Sequence, residues 1–118
     1  NVASIAGLAG AAYISAYSAT KHAVVGFTRS IAAEVARSGV TVNAVCPGYV
    51  NTPMTEQSIR RIVEKTGQSR ERALQAILET NPQRRLIEPE EVAHAVATLC
   101  SDESRGINGQ AIAINGGP

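Results

Sequence analysis

The chain is poor in aromatic residues and in charge of either sign. It has no Trp, one Phe and three Tyr, which leaves no set of rings for stacking nucleic-acid bases. Eleven basic residues against ten acidic ones give a net charge of +1. No excess of positive field draws it to DNA, RNA or an acidic membrane. Only two cations are lysines, Lys21 and Lys65, and Arg60-Arg61 and Arg84-Arg85 are the only adjacent basic pairs. Cysteine is scarce too. Cys46 and Cys100 lie far apart in apolar segments, so no disulfide framework is expected and a reducing, cytoplasmic setting fits. Both are expected to be buried core thiols. Together with His22 and His94 they show no metal-ligand spacing, so no metal site is expected. Residues 1–20 carry no charge at all. That span could cross a bilayer by length. It is built from Ala, Gly and Ser and lacks a basic leading segment, so it reads as neither signal peptide nor membrane helix. The absent initiator Met suggests a chain that starts inside a longer gene product.

What is present describes one globular unit. The 118 residues are 44% hydrophobic and 18% charged, ordinary values for a folded domain with a modest core. Residues 1–3 read as the tail of a strand, followed by a small-residue loop through Gly7 and Gly10. A long helix is expected from Ser15 or Ser18 to Arg37, with Val24, Phe27, Ile31 and Val35 on its apolar face and Gly39 as its stop. The β-branched run Val40 to Cys46 reads as a strand, ended by Pro47-Gly48. Residues 53–80 read as amphipathic helices broken near Gly67, with Ser69 capping the second and Asn81-Pro82 ending it. Pro89-Glu90-Glu91 opens another helix, with Val92, Val96 and Leu99 on one face. Gly106 to Gly109 is a turn, and Ala111 to Ile114 a last strand. Strand, helix, strand, helices, strand implies an α/β fold with a parallel sheet and helical crossovers. Two strands and a stub are too few for a complete doubly wound sheet, so the chain reads as half of one.

Tyr17 and Lys21 carry the chemistry. Four residues apart at the start of the long helix, they share a face, with Cβ atoms roughly 5–6 Å apart. A free tyrosine titrates near 10 and is a reluctant proton donor or base at neutral pH. A neighbouring ammonium favours the phenolate, and such a couple can serve as general acid and base. Ser4, in the loop after the strand stub, offers a hydroxyl to hold a substrate oxygen. A surface Tyr–Lys pair on a helix would look the same, so the rest of the chain has to weigh in.

It does so in collinear blocks. Tyr17-Ser-Ala-Thr-Lys21 resembles the Tyr-x-x-x-Lys signature of the short-chain dehydrogenase/reductase family. Asn1-Val-Ala-Ser4 resembles that family's segment with the catalytic Ser. Val42-Asn43-Ala44-Val45-Cys46-Pro47-Gly48-Tyr49-Val50-Asn51-Thr52 resembles its Val-Asn-x-(Val/Ile)-x-Pro-Gly-x-(Val/Ile)-x-Thr block. Pro89-Glu90-Glu91-Val92-Ala93 resembles its later helix start, and Gly109-Gln110 with Asn115-Gly116-Gly117 resemble its last strand and end.

The resemblance implies the carboxyl-terminal half of a Rossmann-type, doubly wound parallel-sheet domain. It implies an NAD(P)-dependent enzyme interconverting a secondary alcohol and a ketone. Tyr17 would pass the proton and, with Lys21, contact the cofactor; Lys21 would assist Tyr17 and bind the nicotinamide ribose, and Ser4 would orient the substrate oxygen. Pro47, Gly48, Val50 and Thr52 would line the nicotinamide site, at the carboxyl end of a parallel strand where such sheets bind ligands. Read alone, Pro47-Gly48 is just a turn and Thr52 a helix N-cap. Residues 53–86 would form a substrate lid, its apolar side chains covering substrate or packing on the body. His22 reads as structural. The sequence resembles most the members acting on 3-oxoacyl thioesters or on 3-hydroxyacyl and 3-hydroxybutyrate-type alcohols; polyketide, sugar and steroid alcohol reductases share these features. A small-molecule substrate and a homodimer or homotetramer follow from the same resemblance. The Gly-rich pyrophosphate turn is not here: no Gly-x-Gly occurs anywhere in the chain. NAD and NADP therefore stay undistinguished. An alternative stays open beside the enzyme: an inactive chain that keeps only the fold's assembly surfaces.

Overall fold

The computed structural model describes residues 1–117. Two short parallel strands form the sheet, β1 (Ala44–Pro47) and β2 (Ala111–Ile114), in register from Ala44 opposite Ala111 to Pro47 opposite Ile114. The stub at the amino end adds a third line through a parallel bridge between Val2 and Val45, with the Ala3 amide donating to the Val45 carbonyl at 2.8 Å. Four helices accompany this strip: α1 (Ser15–Glu34), α2 (Pro53–Thr66), α3 (Arg70–Glu79) and α4 (Pro89–Leu99); α1 and α4 pack on β1, and α2 and α3 on each other. The α/β reading and the parallel crossovers hold.

Strand β1 starts later than the β-branched run suggests. Residues 42 and 43 are claimed by the turn before β2. The Val42 amide donates to Asn108 Oδ1, Asn43 Nδ2 donates to the Ile107 carbonyl, and Asn43 Oδ1 accepts from the Gln110 amide. Side-chain amides thus replace ladder bonds there. Pro47 belongs to the strand instead of ending it; Gly48 then donates to the Ile114 carbonyl at 3.0 Å.

Helix α1 ends at Glu34, short of Arg37, and turns carry the chain to Gly39 at φ 80°. Its buried stripe is also different from the expected one. Ser18, Val25, Thr28 and Ala32 face inward, while Phe27 is 61% exposed. Val24, Ile31 and Val35 are nevertheless half-buried, and Val24 packs against the core of Ala3, Val25, Ala44 and Cys46. Of the expected face only Phe27 stands in the open. At its start α1 lies almost in contact with the preceding loop: a Cβ on Gly7 would stand 2.6 Å from the Lys21 carbonyl oxygen.

The break at Gly67 (φ 68°) and the Ser69 cap, whose hydroxyl accepts from the Arg72 amide, are as expected. Helices α2 and α3 pack on each other around Ile59, Ala73 and Ile77, with Tyr49, Leu74 and Leu86 at the edge. Most of that segment's apolar side chains serve this hairpin; Met54 stands 69% exposed. In α4 the Val92, Val96 and Leu99 face is not sealed, and no residue of that helix is fully buried. Cys100 is exposed, contrary to expectation, because it follows the end of this half-open helix; Cys46 is buried.

The chain exposes 7706 Å², against about 6100 Å² for a compact monomer of its mass. Its radius of gyration is 15.9 Å, where a compact chain of this length has about 13.5 Å. Strand β1 is itself buried along its whole length, so the excess lies on the outer faces of the helices and loops, where Tyr13, Phe27, Met54 and Val96 stand exposed. Among the described residues no helix is long and apolar enough to cross a membrane.

Candidate active site

Ser4 sits where the strand stub ends, in extended backbone, and caps the short helical turn Ile5–Gly7. Its Oγ accepts from the Ala6 amide at 3.1 Å, which leaves the hydroxyl hydrogen free to donate. Two contacts tie this loop to α1. Ser18 Oγ donates to the Ala6 carbonyl at 2.8 Å, and Gly7 lies against the Lys21 backbone. The Ser4 loop is thereby set against the first turns of the helix that bears Tyr17 and Lys21.

Tyr17 is 44% exposed on the open side of α1. Lys21 Nζ lies 5.6 Å from the centroid of the Tyr17 ring, within cation–π range. The same ammonium donates a long 3.4 Å hydrogen bond to the Val2 carbonyl. The pair shares one helix face as the spacing requires. His22 turns back on its own helix: its Nδ1 lies 2.9 Å from the Ser18 carbonyl, one turn earlier.

At the carboxyl end of β1, Gly48 is pinched. A Cβ there would meet Asn115 Cβ at 3.2 Å and Ile5 Cδ1 at 3.7 Å. The turn therefore touches both the residue after Ser4 and the end of β2. Next, the chain forms a parallel bridge between Val50 and Ile87. The Asn51 amide donates to the Ile87 carbonyl at 2.8 Å, and the Ile87 amide to the Tyr49 carbonyl at 2.9 Å. Alternation aims Val50's own groups the other way. Its carbonyl accepts from the Thr55 hydroxyl, and its N–H has no partner among the described residues. Thr52 stands at the N-cap position of α2 without capping it; its Oγ1 makes only a 3.4 Å bond to the Val50 carbonyl. Among the described residues the Val50 and Met54 amides are thus left without a partner at one strand end, beside the Thr52 hydroxyl with its single long bond.

Beside Thr52 opens a cavity of about 530 Å³ between α2 and α3, floored by Ile59, Leu74 and Leu86 and rimmed by the Glu56–Arg70 pair. It does not reach Ser4, Tyr17 or Lys21. Arg70 forks onto Glu56 at 2.8 and 3.3 Å, which holds the Glu56 carboxyl below the usual carboxylate range. Burial pushes the Cys46 thiol up and keeps it out of nucleophilic chemistry. Among the described residues no three His, Cys, Asp or Glu side chains form a metal-binding group. Sequence reasoning missed Gly7, Ile87 and Asn81 as parts of this frame. For Gly7 the small-residue loop was the only signal, and for Ile87 an isolated β-branched residue before Pro89.

A family model described as enoyl-(acyl carrier protein) reductase matches residues 1–118. The chain belongs to the short-chain dehydrogenase/reductase family. It is 39% identical over 118 residues to a D-beta-hydroxybutyrate dehydrogenase of Rhizobium meliloti, covering 99% of this chain and 46% of that protein. It is 41% identical over 117 residues to a putative ketoacyl reductase of Streptomyces coelicolor, covering 99% of this chain and 45% of that one. Among solved structures, an F189W actinorhodin polyketide ketoreductase with NADPH superposes with a TM-score of 0.93 at 41% identity. That match covers 99% of this chain and 45% of the other. The chain thus spans about half the length of the relatives it matches, and its fold is the corresponding part of their Rossmann-type domain.

Proposed function

We propose that the polypeptide carrying this chain is an NAD(P)-dependent oxidoreductase interconverting a secondary alcohol and a ketone. Its substrate class is a 3-oxoacyl thioester or the matching 3-hydroxyacyl compound. The observation that carries the reading is the Tyr17–Lys21 face of α1, with the Ser4 loop fixed against it by Ser18 and Gly7. Ketoacyl reductases and a hydroxybutyrate dehydrogenase among the relatives support the substrate class. Solved relatives with NADPH and with NADH support the cofactor, as NAD or NADP.

The residues present fit a nicotinamide dinucleotide. The unpartnered Val50 amide suits a carboxamide oxygen, and the uncapped start of α2 with the Thr52 hydroxyl suits a phosphate or carboxamide. Pro47 and Gly48 would press on the ring as a flat, side-chain-poor wall. Lys21 would reach the ribose. The nicotinamide, when bound, supplies or takes the hydride. In reduction, Ser4 donates a hydrogen bond to the substrate oxygen and holds it beside the Tyr17 hydroxyl. Tyr17 gives up its proton to that oxygen as the alcohol forms. Lys21 offsets the negative charge left on the phenolate. Oxidation runs the same proton path backwards. Residues 53–86 act as the lid over this site.

The excess exposed area supports further polypeptide or a second copy against this strip, and a cytoplasmic homodimer or homotetramer is the assembly proposed. The test is an assay of the whole polypeptide carrying this chain with acetoacetyl thioester and either NADPH or NADH. Turnover that is lost in Tyr17→Phe supports the reading. Absence of turnover with any carbonyl or alcohol, in protein that is folded, overturns it.

A further inference from the structure

The lid segment leaves the body at Val50 and returns at Ile87, two points joined by a parallel bridge. Its inner end is fixed by a second device. Asn81, just past α3, is 6% exposed. Its Oδ1 accepts from the Gln83 amide and its Nδ2 donates to the Arg85 carbonyl, both at 2.7 Å. The loop 81–85 is therefore wrapped around one buried amide. Arg84 adopts φ 56° to complete the wrap, and Arg85 forks onto Glu91 of α4 at 2.6 and 2.7 Å.

The segment after β2 lies on that amide. Gly116, at φ 84°, rests so close that a Cβ would overlap Asn81 Oδ1 and stand 2.8 Å from Cγ. Gly117 faces the Pro82 ring, at 3.4 Å from where its Cβ would be. One residue earlier, Asn115 is the neighbour that pinches Gly48. The segment thus bears on the lid's exit through Gly116 and on the Pro47-Gly48 turn through Asn115.

We propose that Asn81 is a positioning residue for the cofactor: it couples the lid's exit, through Gly116 and Asn115, to the Pro47-Gly48 turn that faces the nicotinamide. This rests on the functional reading above. Contacts this close transmit displacement because backbone meets amide with no flexible side chain between them. If the Asn81 amide is removed, or is pushed off by the Arg85 carbonyl as a carboxylate would be, Gly116 loses its seat and Asn115 shifts against Gly48, whose amide stays bonded to the Ile114 carbonyl.

The experiment is titration of the whole polypeptide with NADH and with NADPH, following cofactor fluorescence. Asn81→Asp keeps the shape and turns the donor toward Arg85 into an acceptor. We expect its cofactor Kd to rise about ten-fold, the scale of one lost net hydrogen bond. At saturating cofactor, kcat should fall less than that. Asn81→Ser, which still accepts from the Gln83 amide but cannot reach Arg85, should move Kd the same way and serves if the aspartate variant does not fold. Ser104→Ala, which removes a buried hydroxyl's bond to the Thr98 carbonyl at the end of α4, outside lid and site, is the control for lost stability alone: its Tm should drop with Kd unchanged. The inference is overturned if Asn81→Asp, or Asn81→Ser in its place, binds cofactor like the parent. It is also overturned if Ser104→Ala weakens binding as much as they do. A parent protein that binds neither nucleotide overturns the functional reading as well, so the two failures are told apart.

Discussion

Gly7→Ala tests how the Ser4 loop is set against the Tyr17–Lys21 helix. The added methyl would lie 2.6 Å from the Lys21 carbonyl oxygen and 2.8 Å from its carbon. Both are backbone atoms inside a helix and cannot swing away. To reach ordinary contact the loop has to retreat by roughly 0.8 Å. Overpacking of this kind costs about 1–3 kcal/mol. For a protein of 150–250 residues, about 2 kcal/mol lowers Tm by about 4–8 °C. The retreat also carries Ser4 from its place, and a misplacement approaching 1 Å costs on the order of 10²-fold in rate. Thermal melting and steady-state kinetics on the whole polypeptide read both effects. Gly10→Ala is the matched control, because a Cβ there meets nothing within 4 Å; its effect should stay within about 0.5 kcal/mol. If Gly7→Ala keeps the parent's Tm and kcat, the loop does not bear on the helix as described and the placement of Ser4 is wrong.

Other perturbations separate chemistry from scaffold. Tyr17→Phe removes only a hydroxyl on an exposed face, so folding and cofactor affinity should persist while turnover falls by at least about 10²–10⁴-fold, the usual share of general acid–base catalysis; kinetics beside a cofactor titration would show it. Ile77→Ala opens the α2–α3 contact, where Ile77 is 2% exposed, and should cost about 2–5 kcal/mol in denaturant unfolding. Arg85 and the Glu88 amide hold the Glu91 carboxyl at about 2, below its ordinary 4.5. A carboxylate lowered in the folded state stabilises above its unfolded pKa and loses that effect as pH falls through the folded one. The Tm gap between the parent and Glu91→Gln should therefore be full at pH 7 and shrink steadily below about 4.5. A gap independent of pH would refute the assignment of that pair.

The elements with local signals were legible from sequence. Pro89 with Glu90 and Glu91 starts α4, Ser69 caps α3, and Gly67 ends α2, each by a rule that one or two residues satisfy. The Tyr17–Lys21 face was legible because helical spacing alone brings the two together. The strand start at Ala44 was not. It depends on Asn108, some sixty residues away, outcompeting the ladder for the Val42 amide. Nor was the buried stripe of α1. Hydrophobicity favoured Phe27, but the face that meets Ala3, Ala44 and Cys46 carries Val25, and Asn1 and Asn108 bond to Thr28 and Ala32 on that side. Sequence states what a side chain prefers, and the space left by a distant neighbour decides whether it is allowed.

The same logic explains why glycine marks this site more sharply than its reactive residues do. Tyr17 and Lys21 would look alike on any exposed helix. Gly7, Gly48 and Gly116 would not, because each is the point where one element of the site presses on another's backbone or amide. Gly7 sets the Ser4 loop on α1. Gly48 lets β2's end and Ile5 close around the turn after β1. Gly116 seats that end on Asn81. Together they link Ser4, the strand-end amides and the lid's exit through contacts with no slack, which is what holding a carbonyl, a phenol and a cofactor in one geometry requires.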